Sequence, residues 1–222
     1  MIAALRSSIG MKTVMAATGL LLVGFVIMHL LGNLTIYLGP DALNAYAAKL
    51  RHFGPLLWVA RAGLLATALL HIASSILVSV ENRRARPIGY RVQRSLQTTY
   101  SARTMMVSGL LLAAFIVYHL LHFTFLVTNP DIAHLTDAQG RHHVYAMVVA
   151  SFQQVPIAVV YIAAMGCLAM HLGHGIASFF QTLGLTTETL IPRLTRISNL
   201  AAFAIFLGYI SIPLAVLGGV IK

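Results

Sequence analysis

The chain has 222 residues, of which 59% are hydrophobic and only 9% are charged, and its mean hydropathy is +0.85. A soluble domain of this size carries about a quarter charged residues, so the composition excludes an ordinary soluble protein and indicates an integral membrane protein. The net charge of +10 does not indicate a nucleic-acid partner, because the basic residues lie between apolar runs and lack an interleaved aromatic pattern.

Five apolar runs of about 22–26 residues are each long enough to cross a hydrocarbon core with some tilt. Only helices satisfy their own backbone groups in lipid, so all five are predicted to be α-helical. The first run lacks a small-x-small cleavage pattern and exceeds the apolar region of a signal peptide, so we expect it to be retained. Residues 1–222 should form a single all-α transmembrane bundle. The predicted spans are about 13–38, 56–80, 104–127, 155–180 and 197–220.

The 15 Lys and Arg residues are distributed unevenly, with ten on the side of the amino terminus and five on the other. The positive-inside rule then predicts a cytoplasmic amino terminus and an outside carboxyl terminus. The ten are Arg6, Lys12, Arg83, Arg84, Arg86, Arg91, Arg94, Arg103, Arg193 and Arg196; the five are Lys49, Arg51, Arg61, Arg141 and Lys222, accompanied by Asp41, Asp131 and Asp137.

Four histidines lie within the first four apolar runs: His29, His71, His119 and His171. An ionisable residue inside a span usually has a function, and imidazole is the commonest metal ligand. At 1.5 Å per helical residue, His29 and His119 lie roughly 24–25 Å from the cytoplasmic end, and His71 and His171 about 14 Å from it. The rings therefore sort into an outer and an inner level about 10 Å apart. One histidine from each of two helices at each level would suit two six-coordinate b haems.

Two of these histidines have close competitors. His122 follows His119 by three residues, and His174 follows His171 by three, so each pair shares a helix face and spacing alone does not decide between its members. His119 and His171 match the two levels better. We then expect His122 and His174 to lie nearer the surface, where they would meet haem propionates or water. The remaining histidines that fall in outer loops are His52, His134, His142 and His143.

Several polar residues are candidates for contacts to haem propionates or to a quinone. Arg61, about five residues into the second span, either extends to the interface or forms a charge-assisted hydrogen bond to such a group. Arg103 and Tyr100 are candidates for the inner haem, and His52 lies close to the outer level. Glycines beside the histidines would admit a flat macrocycle or pack helices together; they are Gly24, Gly32, Gly109, Gly166 and Gly173.

In the order and spacing of these features, the chain resembles the cytochrome b558 family, the single large membrane subunit of succinate dehydrogenases and fumarate reductases. The resemblance covers essentially the whole chain, as five spans with histidines on the first four. The stretches that carry it are GFVIMHLLGNL at 24–34, LLH at 69–71, SARTM at 101–105, FIVYH at 115–119 and MHLGHG at 170–175.

The resemblance implies axial ligands in two pairs, His29 with His119 at the outer haem and His71 with His171 at the inner haem. It also implies a flavoprotein subunit, an iron–sulfur subunit and a quinone, usually menaquinone. The chain would be the non-catalytic haem- and quinone-binding subunit of a succinate dehydrogenase (complex II), which links the tricarboxylic acid cycle to the respiratory chain. Some fumarate reductases carry a glutamate where this chain has Ala169, so the resemblance favours succinate oxidation.

Three alternatives stay open at this stage. The chain could anchor a quinol:fumarate reductase, or a hydrogenase or formate dehydrogenase, although those b-type anchors have fewer spans and differently placed histidines. In a different class, it could be a haem-free transporter or structural subunit whose histidines relay protons. The single cysteine, Cys167, and the lack of a GxGxxG motif after a strand assign any iron–sulfur cluster or flavin to other chains. The direction of catalysis, the quinone species and the oligomeric state also stay open.

Overall fold

The computed structural model describes residues 7–85, 88, 99–132 and 134–222. Within these residues the chain forms α-helices and two short 3-10 helices, and no β-strand; Thr136 and His142 form one isolated bridge. The 3-10 helices are Leu34–Leu38 and Pro130–Ile132. The α-helices are α1 (Ser8–Asn33), α2 (Pro40–His52), α3 (Pro55–Arg84), α4 (Tyr100–Phe123), α5 (Val144–Phe152), α6 (Val155–Thr182) and α7 (Leu190–Leu217).

Five of these helices, α1, α3, α4, α6 and α7, are long and apolar enough to cross a membrane. This confirms the predicted all-α membrane fold. Large apolar side chains on every one of them are exposed on the outside of the bundle, which is stable where lipid rather than water surrounds it. Examples, one from each helix in order, are Leu21, Leu69, Leu111, Val159 and Leu200.

The helix boundaries differ from the predicted ones by several residues, as α4 and α7 illustrate. Helix α4 begins at Tyr100 because the Thr99 hydroxyl accepts a hydrogen bond from the Ala102 N–H at 3.2 Å, a common N-cap arrangement. It ends at Phe123, four residues before the predicted limit of 127, and Leu126 then adopts a left-handed conformation with φ of 56°. Helix α7 begins at residue 190 rather than 197, which places its basic first turns beyond the apolar segment.

Helices α1, α3, α4 and α6 form a four-helix ring, with α7 packed outside it. Helix α1 packs against α3 and α6, α4 packs against α6 and over a shorter stretch against α3, and α7 lies along α6 and contacts α1. A Cβ at Gly173 would lie 2.5 Å from Asn199 Oδ1, and one at Gly208 would lie 2.8 Å from Leu30 Cδ2. These glycines permit the close approach of α7. In the ring, α1 and α4 occupy one diagonal, and α3 and α6 occupy the other.

The segments at 34–54 and 124–154 build a capping layer over one end of the ring; the sequence analysis assigned 34–38 and 124–127 to the spans and left the rest as outer loops. Helices α2 and α5 pack against each other there. Asn44, 1% exposed, joins them: its Nδ2–H donates to Asp137 at 3.2 Å, and its Oδ1 accepts from the Tyr145 N–H at 3.0 Å. Arg141 bonds Asp41 at 2.6 Å and Asp137 at 2.7 Å. We call Asp41, Asn44, Asp137 and Arg141 the polar clasp.

The charged residues lie at the two ends of the bundle, as the loop analysis predicts. Lys12, Arg83, Arg84, Arg103, Arg193 and Arg196 flank the helix ends at the amino-terminal end, and the opposite end carries the capping layer. Four residues counted for the amino-terminal side lie outside the described residues: Arg6, Arg86, Arg91 and Arg94. Which end faces the cytoplasm stays a prediction.

Candidate functional site: two facing histidine pairs

Four histidines from four helices meet in two pairs inside the ring. The imidazole of His29 on α1 faces that of His119 on α4, with ring centroids 5.8 Å apart and planes at 81°. His71 on α3 faces His171 on α6, with centroids 6.4 Å apart and planes at 69°. We call them the first pair and the second pair. Each joins helices on one diagonal, so the rings meet across the interior and not within a helix–helix contact.

The two pairs lie at different heights in the ring. Thr18 Oγ1 lies 3.3 Å from His71 Nδ1 and precedes His29 by eleven residues on α1. Ser108 Oγ lies 3.0 Å from His171 Nδ1 and precedes His119 by eleven residues on α4. Eleven helical residues rise about 16 Å, so two helices give the same separation. This exceeds the predicted 10 Å, which assumed that the ends of all four helices lie at one common level.

The Nδ1 atoms of three of the four imidazoles have hydrogen-bond partners. His71 Nδ1 lies 3.0 Å from the Met15 carbonyl, His171 Nδ1 3.0 Å from Ser108 Oγ, and His119 Nδ1 3.3 Å from the Tyr161 hydroxyl. In the described part of the chain, no hydrogen-bond partner contacts the Nε2 atom of these three rings. In metal-binding histidines, one ring nitrogen binds the metal and the other usually forms a hydrogen bond to a neighbouring group.

The fourth imidazole, that of His29, is held by stacking. Its ring lies 5.3 Å from that of Phe25 at an interplanar angle of 14°, and 6.4 Å from Tyr209. The Tyr209 hydroxyl donates to the Val26 carbonyl at 2.7 Å, which ties α7 to α1 beside the first pair. Ring packing in place of a polar contact therefore orients this side chain.

Glycines line the helix faces next to the second pair. A Cβ at Gly19 would lie 3.1 Å from His71 Cε1, and one at Gly109 would lie 3.4 Å from His171 Cε1. A Cβ at Gly24, one turn and a half before His29, would have no atom within 4 Å. Gly109 was predicted as a residue that leaves room beside His119 but lies against His171. Gly19, in the matching position ten residues before His29, was missed.

This donor set fits a haem ligated by two histidines. Two imidazoles that each bound one first-row metal through a nitrogen at about 2 Å would have ring centroids roughly 6 Å apart. The separations of 5.8 Å and 6.4 Å agree with this value. Among the described residues, no group of three or more His, Cys, Asp or Glu side chains could hold a metal ion. A haem needs only two protein ligands, since the macrocycle supplies the others.

The competitors His122 and His174 do not face a histidine on another helix. His174 Nε2 lies 3.0 Å from the Ser178 hydroxyl on its own helix. His122 is completely buried, with its Nδ1 2.8 Å from the Tyr161 hydroxyl and its Nε2 without a partner. The expectation that His122 would reach water is therefore wrong, because Phe123, 4.2 Å away between ring centroids, and Tyr161 cover it.

A cavity of about 370 Å³ opens beside the first pair, between the start of α3 and the end of α4. Phe123, which forms part of its wall, packs 5.7 Å from the His119 ring. The Arg61 guanidinium lies 5.0 Å above the Trp58 ring. Burial and the nearby charge of Arg61 lower the pKa of Arg51. The lining residues are Arg51, Gly54, Leu57, Trp58, Arg61, Phe123 and Thr124.

The two guanidinium groups in this cavity suit an anionic group. Within the described residues, the salt bridges of the chain are those of Arg141 with Asp41 and Asp137, so Arg51 and Arg61 line the cavity without a carboxylate partner. Arg51 was not predicted as a site residue, although its neighbour His52 was.

The remaining candidates are at the bundle ends. His52 is exposed at the end of α2, and Tyr100 and Arg103 are exposed at the start of α4. In the part of the chain that the structure describes, none of them forms a hydrogen bond or ring contact with a paired histidine. Their predicted contacts to propionates or a quinone stay predictions.

Tyr161 and Ser108 are among the residues that contact the pairs and were missed by the sequence analysis. The signal for Tyr161 is a polar group inside an apolar helix, which must find a partner. It lies six residues from the start of α6, about 9 Å along the helix, and His119 lies four residues from the adjoining end of α4, about 6 Å. The depth argument used for the histidines would therefore have brought them together.

Comparisons of the chain with protein-family models, with curated proteins and with solved structures found no match.

Proposed function

We propose that this chain is a membrane-embedded cytochrome b that carries two haems, one ligated by His29 and His119 and the other by His71 and His171. The observation that carries the proposal is the pair of facing imidazole couples on the two diagonals of one four-helix ring. A haem held by two histidines supplies a one-electron redox centre, and two at separate levels supply a route for electrons across the bilayer.

Residues around the pairs hold the imidazoles in orientations that suit metal binding. The Met15 carbonyl accepts the His71 Nδ1–H at 3.0 Å, and the hydroxyls of Ser108 and Tyr161 lie within hydrogen-bond distance of His171 and His119. Such contacts select the tautomer with a free Nε2, orient the ring and raise its basicity. The apolar surroundings keep water away from the metal and so contribute to the redox potential.

Cationic side chains at the two levels are the candidates for the haem propionates. Arg61 and Arg51 line the cavity next to the first pair and have no carboxylate partner among the described residues. A propionate there, or the carbonyl of a quinone head group, would accept charge-assisted hydrogen bonds. Arg103 and Tyr100 are the corresponding candidates at the second pair, since they lie at the amino-terminal end of α4.

The physiological partners follow from the sequence resemblance. We propose that the chain anchors a flavoprotein and an iron–sulfur subunit of succinate dehydrogenase and passes electrons from succinate to a quinone, with menaquinone the expected species. The basic amino-terminal end would lie in the cytoplasm of a bacterium and meet the iron–sulfur subunit there. The second pair is nearer to that end, so electrons would reach it first and then the first pair.

The haem content of the purified chain tests the core of the proposal. A reduced-minus-oxidised spectrum and a pyridine haemochrome assay of the detergent-solubilised protein should give b-type bands and two haems per chain. The double variant His29→Leu/His71→Leu should retain no haem, because each pair loses one ligand. A colourless wild-type protein would contradict the proposal and favour a haem-free transporter or structural subunit.

A matched control separates ligation from general damage. The variant His134→Leu removes an exposed histidine outside the ring and should keep both haems. If it loses haem as completely as the ligand variant, the facing pairs are not the ligands.

The partner assignment has its own test. A tagged chain expressed in its native organism should co-purify with a flavoprotein and an iron–sulfur protein, and the complex should reduce a menaquinone analogue with succinate. A two-haem protein that co-purifies with a hydrogenase or formate dehydrogenase instead would leave the di-haem proposal intact and overturn the succinate dehydrogenase assignment. Faster fumarate reduction than succinate oxidation would assign the fumarate reductase direction.

A further inference from the structure

Tyr161 contacts two histidines through a single hydroxyl group. Its oxygen lies 2.8 Å from His122 Nδ1 and 3.3 Å from His119 Nδ1. The Tyr161 side chain is almost completely buried, and the rings of Phe115, Phe123 and Phe152 surround it at centroid distances of 5.0–5.8 Å. These three polar atoms therefore have to satisfy one another.

A phenolic hydroxyl has one hydrogen to donate and lone pairs to accept. If His119 binds iron through Nε2, as proposed, its Nδ1 carries the hydrogen. The Tyr161 oxygen then accepts the His119 Nδ1–H, and the Tyr161 hydrogen goes to His122 Nδ1. The opposite arrangement would put the His119 hydrogen on Nε2, the nitrogen required for iron. The buried His122 Nε2, which has no hydrogen-bond partner among the described residues, then carries the single N–H hydrogen of that ring.

At the second pair, too, a hydroxyl oxygen is available to accept a histidine Nδ1–H. The Ser108 hydroxyl donates to the Met105 carbonyl at 3.0 Å, so its oxygen is left to accept the His171 Nδ1–H. The Thr18 hydroxyl donates to the Val14 carbonyl at 2.7 Å and likewise presents its oxygen to His71. In each case another acceptor takes the hydroxyl hydrogen. At Tyr161 that acceptor is the imidazole of His122 and not a backbone carbonyl.

We infer that Tyr161 and His122 are positioning residues for the first pair: His122 directs the Tyr161 hydroxyl, and Tyr161 holds His119 in the iron-binding tautomer. The inference rests on the proposed function. It assigns the His122 imidazole to the protein interior as a hydrogen-bond acceptor, in place of the propionate contact expected from sequence. Its loss should act on the first-pair haem alone, because Tyr161 contacts no residue of the second pair through any described hydrogen bond or ring.

Redox titration of the b bands in Tyr161→Phe tests the inference, with Ser108→Ala as the matched control. An imidazole that loses its acceptor becomes a weaker donor to ferric iron, so the potential of its haem should rise. We expect a shift of up to about tenfold in the reduction equilibrium, which is about 59 mV for one electron. Tyr161→Phe and Ser108→Ala should move different steps of the titration. Unchanged potentials in Tyr161→Phe, or movement of the same step in both variants, would overturn the inference.

Two variants of His122 test whether this residue directs the Tyr161 hydroxyl. The amide oxygen of His122→Asn can accept the Tyr161 hydrogen, so this variant should keep a near-normal potential and low-spin EPR signal. His122→Leu removes the acceptor, and we expect it to shift the same step as Tyr161→Phe or to lose one haem. Equal behaviour of the two His122 variants would contradict the role of His122. If Tyr161→Phe does not accumulate, this His122 comparison decides.

Failure of the proposed function would give a different result from failure of this inference. A wild-type protein without haem would remove both proposals. If the wild-type protein has two haems but substitutions at Tyr161 and His122 leave their potentials unchanged, this inference alone is wrong.

Discussion

The two histidine pairs have similar ring separations, 5.8 Å and 6.4 Å, but different surroundings. Aromatic side chains pack around the first pair, with Phe25 stacked on His29 and Phe123 against His119. Backbone, small hydroxyls and glycines surround the second pair, through the Met15 carbonyl, Ser108 and Gly19. The same geometry is thus reached in two ways, by ring packing and by close approach of helix backbones.

The difference has consequences for how each pair responds to mutation. Around the first pair, large rings fill the space, and Tyr161 supplies a long polar link from α6 to α4. Around the second pair, the helices are so close that one added methyl group meets an imidazole. We therefore expect the first pair to be sensitive to lost polar contacts and the second to added volume.

The largest effect should come from removing one ligand of each pair in turn. His119→Leu should lower the haem content from two to one and leave the second-pair spectrum intact, and His171→Leu should do the converse. His174→Leu, one turn away on α6 and bonded to Ser178, is the control and should retain two haems. The pyridine haemochrome assay and EPR measure both outcomes. Loss of both haems in each single variant would show that the pairs are not independent.

Added volume at the second pair should have the next largest effect. In Gly19→Ala the new methyl group would lie 3.1 Å from His71 Cε1. Overpacking typically costs about 1–3 kcal/mol, and 1.4 kcal/mol corresponds to a tenfold change in affinity. We expect about a tenfold faster transfer of the second-pair haem to apomyoglobin.

Gly24→Ala on the same helix is the matched control, because no atom lies within 4 Å of the added carbon. It should keep normal haem retention, and α1 should gain up to about 1 kcal/mol from the better helix propensity of alanine. Equal haem loss in both glycine variants would point to a general effect on α1.

Removing a charge at either end of the bundle should have a smaller effect on haem retention. Arg61→Gln should destabilise the first-pair haem and Arg103→Gln the second-pair haem, each by a few-fold, because both side chains are exposed and solvent screens their charges. Haem-loss rates at low and high salt measure this effect, which should shrink as salt rises. If Arg61→Gln and Arg103→Gln act on the same haem, the assignment of one cation to each pair is wrong.

The smallest effect should come from the polar clasp, which lies outside the ring. Burial acts to raise the pKa of Asp137, but hydrogen bonds from Arg141 outweigh it and hold the pKa below the ordinary 3.8. The stability that this carboxylate contributes is present above pH 3.8 and is lost as the pH falls through its lower folded-state pKa.

Asp137→Asn should therefore lower the midpoint of thermal unfolding in detergent at pH 7. The difference from wild type should vanish at acid pH, where the wild-type carboxyl is protonated. Haem potentials should not change. A difference that persists undiminished at acid pH would show that the clasp acts through shape and not charge.

Much of the fold and part of the site were predictable, because lipid imposes simple rules on sequence. The five spans followed from apolar length, and the levels of His29 and His71 followed from counting helical residues. Helices α2 and α5 were missed, because a helix of 13 or 9 residues outside the apolar runs depends on packing such as the Asn44 contacts. The choice between His119 and His122 was also open, because both lie on one helix face and only tertiary packing distinguishes them.

The sequence by itself determined that the chain crosses a membrane five times and carries histidines on four spans, because apolar length and ionisable residues in lipid are properties of a single helix. The depth count also predicted the two pairings, but only the tertiary structure decided that the pairs lie on the diagonals of the ring and that His122 is turned towards Tyr161. Those outcomes depend on the rotation and spacing of helices about one another, which close contacts at residues such as Gly173 and Gly208 fix.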